Sequence, residues 1–107
     1  MLNVDFKQLK KVVTDFYNST KIPIALFDDR RYFQFSLPWS MNPFCAEVRK
    51  NSHLARKCVN CDRKGFDICD QTKKTYIYQC HMGLTEAVSP ICENGVIIGY
   101  MRFGQLL

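Results

Sequence analysis

Residues 52–84 read SHLARKCVNCDRKGFDICDQTKKTYIYQCHMGL. Leu54, Cys58, Cys61, Gly65 and Ile68 recur at spacings of four, three, four and three, which is the stripe of one helix face. The period then changes. Thr75 to Cys80 alternates, with Tyr76, Tyr78 and Cys80 on one side of a strand. Gly65 has no side chain, so another element is expected to approach the helix closely there. Four of the six cysteines and both histidines lie in this stretch.

Working outward, Asn42 and Pro43 are the N-cap and first residue of a short helix that turns Phe44, Cys45 and Val48 inward. Ser52 is placed to cap the longer helix after it. Further upstream, Phe6, Leu9, Val13, Phe16 and Tyr17 form a helical stripe, capped by Asn3 or Asp5. Lys21 to Phe27 and Tyr32 to Leu37 flank the polar turn Asp28-Asp29-Arg30 as a hairpin. Downstream, Leu84 to Cys92 and Val96 to Phe103 flank Glu93-Asn94-Gly95, a strong hairpin signal.

Helix, two strands, a helical middle and three strands make an α+β domain. Its single antiparallel sheet of about five strands has helices covering one face. This order is similar to that of the PAS fold, whose middle helices and sheet enclose a small-molecule pocket.

At 107 residues, 47% hydrophobic and 23% charged, the chain reads as one ordinary globular domain. No run approaches the roughly 18 apolar residues of a membrane span. The first residues lack the apolar core of a signal peptide, so a cytoplasmic location with reduced thiols is expected. The net charge of +5 is dispersed in doublets such as Arg49-Lys50, Arg56-Lys57 and Arg63-Lys64. The last two lie opposite the Cys58/Cys61 helix face, as a solvated surface would. No helix-turn-helix pattern accompanies them.

Cys58 and Cys61 point to one side of their helix. With Cys45 and Cys80 they could form a tetrahedral thiolate site for zinc, or hold an iron–sulfur cluster. The plainer alternative is a set of buried core thiols. His81 follows Cys80, so strand alternation sends it to the other face. Cys69 and Cys92 fall outside the group. No phosphate loop, serine elbow or metalloprotease motif is present, and no enzyme is expected.

The second half resembles the PocR ligand-binding domain family. The matching residues are Cys45; Cys58-x-x-Cys61-Asp62; Gly65-Phe66; Tyr78-x-Cys80-His81-x-Gly83-Leu84-x-Glu86; Pro90-Ile91; Gly95-x-x-Ile98-Gly99; and Gly104-Gln105. The resemblance implies a non-catalytic sensory domain spanning residues 1–107, the N-terminal part of a longer regulator. It implies a small hydrocarbon derivative such as a short diol as ligand. The effector would be an AraC-type DNA-binding domain or a histidine kinase, in a regulator that can pair as a homodimer. Trp39, Phe44, Tyr76, Tyr78, Glu86 and Gln105 are the expected ligand-binding residues. A metal or redox sensor built on Cys45, Cys58, Cys61 and Cys80 is the alternative.

Overall fold

The computed structural model describes residues 6–38 and 42–106. The elements in chain order are α1 (Phe6–Thr20), β1 (Ile24–Asp28), β2 (Phe33–Leu37), α2 (Pro43–Val48), α3 (Ser52–Thr72), β3 (Tyr76–Gln79), β4 (Thr85–Glu93) and β5 (Val96–Leu106). The five strands form one antiparallel sheet in the order β2-β1-β5-β4-β3. Hairpins join β1 to β2, β3 to β4 and β4 to β5. The helical middle carries the chain across, so that β5 returns beside β1.

Local chemistry sets most of the boundaries. Asn42 caps α2 by accepting the Phe44 amide at 2.8 Å, with Pro43 as the first helical residue. Asn51, not Ser52, caps α3; its Oδ1 accepts the amides of His53 and Leu54. Both residues are good caps, and the one whose side chain reaches two orphan amides wins. Lys73, at φ 57°, ends α3 in the left-handed conformation. Asn94 and Gly95 both have positive φ, as a tight β4–β5 hairpin turn requires.

The sheet has two dressed faces. On one, Val13 of α1 packs with Ile24, Leu26 and Phe35, and the Phe16 and Phe103 rings meet edge-on at 5.4 Å. On the other, Phe66 and Cys69 of α3 pack with Ala25, Phe27, Val88 and Tyr100. Phe66 lies edge-on to both Phe27 and Tyr100 at 5.1 Å. The α2–α3 segment covers one face as expected, and α1 lies on the other. The buried face of α3 shifts by one residue along its length, to Gly65, Phe66 and Cys69. Cys69 is fully buried and Cys92 exposed.

Gly65 is the close approach. A Cβ there would sit 2.9 and 3.0 Å from two Tyr78 ring carbons and 3.1 Å from its hydroxyl oxygen. Tyr78 is stacked on Tyr76 at 5.3 Å and has little room to withdraw. Gly65→Ala gains helix propensity of about 1 kcal/mol. It is nonetheless expected to destabilise the fold by about 1 kcal/mol net, because overpacking costs about 1–3 kcal/mol. Urea unfolding measures this directly.

Candidate functional site: a cleft between the sheet and the helical middle

Strand alternation and register bring a defined set of side chains to the α3 face. Tyr78 pairs with Glu86, Glu86 with Gly104, Val88 with Arg102, and Arg102 with Ala25. The β4–β5 ladder is irregular at one end. Thr85 pairs with Leu106 and Glu86 with Gly104, so residue 105 is an extra, bulged position. Bulges re-aim neighbouring side chains. Gly104, at φ 120°, makes this one feasible. A Cβ on it would lie 2.5 Å from the Thr85 carbonyl oxygen and 2.9 Å from Glu86 Cα. The β4 backbone therefore passes directly over Gly104.

A cleft of about 520 Å³ opens on this face. Ala25, Phe27, Phe33 and Leu37 of β1 and β2 line it, with Pro38 and Pro43 at the entry to α2. Arg49, Asp62, Glu86 and Arg102 supply its charged part. Asp62 of α3 is the hub. Its Oδ2 accepts from Arg102 Nη1 at 3.0 Å and lies 3.7 Å from Arg49 Nη2. The Arg102 guanidinium also stands 5.2 Å over the Phe27 ring. One carboxylate thus ties the residue after α2 to α3 and to β5.

Glu86 is only 6% exposed. Burial pushes its pKa above the ordinary carboxylate value, Arg102 and Arg49 pull it back, and Asp62 adds to the rise. Beside it, the buried Tyr78 hydroxyl has no hydrogen-bond partner among the described residues. Burial, then the neighbouring Glu86 and Asp62, push the Tyr78 pKa far up, so the phenol stays neutral.

One of the cysteines meets a histidine. Cys58 Sγ lies 3.1 Å from His81 Nε2. His81 does not continue the strand. β3 ends at Gln79, and the Gly83 amide donates to the Cys80 carbonyl in a turn, so strand alternation no longer governs where the imidazole goes. Cys45, Cys58 and Cys80 are near enough to feel one another's charge, and burial raises the thiol pKa of both Cys45 and Cys58. Among the described residues, no group of three or more His, Cys, Asp or Glu side chains is placed to hold a metal ion.

A family model described as "Sensory domain found in PocR" matches residues 3–107. The chain belongs to the PocR sensory domain family. Regulatory protein PocR of Salmonella typhimurium is 26% identical over 98 residues, covering 92% of this chain. Those residues are 32% of that protein, so the chain spans about a third of its relative's length. No solved structure matches.

Within this PocR domain the expected ligand residues fall in different places. Glu86 lines the cleft. Tyr76 and Tyr78 face α3 as alternation dictates, but they pack under the helix beside the cleft, and Tyr78 is held against Gly65. Phe44 is 47% exposed. Helix α2 is only six residues long, and Cys45, Val48 and the capping Arg49 take its inner side. Trp39 and the Gln105 side chain lie outside the described residues. Arg49, Asp62 and Arg102 were missed. Arg102 had a readable signal, since it shares strand parity with the core residue Tyr100 and so had to be charged on an inner face. Arg49 sat in a doublet that read as solvated. Asp62 is one helical turn from Cys58 and reads as a single carboxylate with no motif around it until its two partners are known.

Proposed function

We propose that this PocR domain senses a small hydrocarbon derivative, such as a short diol, in the cleft, and that it is a binding module and not a catalyst. The supporting observation is the composition of the cleft, mostly apolar with a few convergent polar groups at one part of its wall. A diol would lay its carbon chain on Ala25, Phe27 and Phe33 and present its hydroxyls to Glu86 and the guanidiniums.

Ligand binding changes a regulator only through different affinity for two states. The Arg49–Asp62–Arg102 junction is a suitable element. A ligand hydroxyl that competes for Arg102 or Arg49 alters how the α2–α3 segment is tied to the sheet. The output domain would lie elsewhere in a longer chain, an AraC-type DNA-binding domain or a histidine kinase. The relative named a regulatory protein, about three times the matched length, supports that arrangement.

The test is a titration of propane-1,2-diol, following fluorescence of the single tryptophan and the melting temperature. Saturable binding with a rising melting temperature is expected. For five heavy atoms the ceiling is about −7 kcal/mol, so the dissociation constant should be no tighter than about 10 μM. A folded domain that responds to no small alcohol overturns the reading.

Glu86→Gln separates binding from stability. Because burial raises the folded-state pKa of Glu86, its carboxyl favours folding below the unfolded pKa, and that contribution is lost as pH rises. At neutral pH the variant is therefore expected to be more stable without ligand, by roughly 0.5–2 kcal/mol, and to bind the diol more weakly. Melting temperatures of both proteins at pH 5 and pH 8 check the sign; the advantage of Gln should grow with pH.

A further inference from the structure

We infer that Glu86 makes this cleft selective for uncharged hydroxyl ligands over the corresponding carboxylates, an inference that rests on the cleft being the ligand site. The charged wall contains two guanidiniums and two carboxyl groups, Arg49, Arg102, Asp62 and Glu86. Their formal charges cancel. Asp62 Oδ2 already serves both guanidiniums, at 3.0 and 3.7 Å. Glu86 is more deeply buried than either arginine, and neither arginine forms an ion pair with it within 4.0 Å.

A hydroxyl group meets this wall with both of its functions. It can accept from a spare N–H of either guanidinium and donate to Glu86. A carboxylate can only accept. It finds guanidiniums already shared with Asp62, and it brings a second negative charge beside a buried carboxyl group. The raised pKa of Glu86 points the same way, since the surroundings already disfavour negative charge there. An anionic ligand would leave a half-buried site with a net charge of −1, whereas a neutral one leaves it at zero.

The experiment compares propane-1,2-diol, lactamide and lactate on the same protein at pH 7 and constant ionic strength, with calorimetry or thermal shift as readout. All three probes share the 2-hydroxypropyl frame, so the comparison isolates charge and donor capacity at one end. The diol and lactamide are expected to bind within a few-fold of each other, and lactate at least about 10-fold more weakly. In Glu86→Gln the gap should close to within a few-fold, because the amide donates to a carboxylate and carries no charge. Glu86→Ala, which removes the charge without adding a donor, should narrow the gap from the lactate side as well.

Lactate binding as tightly as lactamide in the unmodified protein overturns the inference while leaving the ligand-sensor reading intact. So does a gap that persists unchanged in a folded Glu86→Gln or Glu86→Ala protein. If none of the three compounds binds the folded domain, both the inference and the proposed site fall together.

Discussion

Gly104→Ala should cost the domain about 3–5 kcal/mol, combining a strained backbone with a steric clash. Gly104 has φ 120°, a conformation that L side chains rarely adopt. The space is also taken. The new methyl would meet the Thr85 carbonyl oxygen at 2.5 Å and Glu86 Cα at 2.9 Å. Both are backbone atoms of β4, so no side chain can swing aside. Relief requires opening the bulge, and that moves Glu86, the residue opposite. The Gly104 amide also donates to the Pro23 carbonyl at 3.0 Å, which couples the bulge to the start of β1. A domain of this size changes melting temperature by roughly 4–8 °C per kcal/mol, so a fall of about 15 °C or more is expected. Thermal unfolding followed by circular dichroism measures it. A variant that melts with the parent would show that the bulge is not a constraint of the fold.

Asp28→Ala is the second large effect, and it carries a pH signature. Asp28 is 3% exposed at the end of β1. Its Oδ1 accepts the amides of Arg30 and Tyr32, each at 2.9 Å, and its Oδ2 accepts from Gln34 Nε2 at 3.3 Å. These bonds form the β1–β2 turn, where Arg31 adopts φ 70°. Burial raises the carboxyl pKa, the Tyr32 and Arg30 amides are among the groups that lower it, and the net value lies below the ordinary 3.8. Alanine leaves two amides without their charged acceptor, a loss of about 3 kcal/mol. Because the folded pKa is lowered, the stabilisation is present above the unfolded pKa and is lost as pH falls through the folded one. The difference between parent and variant should therefore be full at pH 6 and shrink below about pH 4. Melting curves from pH 2 to pH 6 test this. A difference that stays constant across that window would show that ionisation of Asp28 contributes nothing.

Much of the fold was legible because it depends on neighbours in sequence. The Asn42-Pro43 start, the Asn94-Gly95 turn, the α1 stripe from Leu9 to Tyr17 and the alternation of Tyr76 and Tyr78 are local patterns, and each sits where its period or turn chemistry put it. The helix stripe even located the contact at Gly65, because a missing side chain on an inward face invites a neighbour. Three things needed the tertiary structure. The pairing of β5 with β1 closes the sheet across the whole helical middle, and no local signal names a partner that far away. The turn after Gln79 releases His81 from strand alternation and brings it to Cys58, a change of direction that a periodic reading carries straight through. The cleft's four charges come from four separate places in the chain, and three of them, Arg49 after α2, Asp62 on α3 and Arg102 on β5, had no reading as part of a site. Each was an ordinary charged residue in the sequence. They converge only when long-range register and helix packing place two guanidiniums on one carboxylate, since Coulomb interactions depend on distance in space and not along the chain.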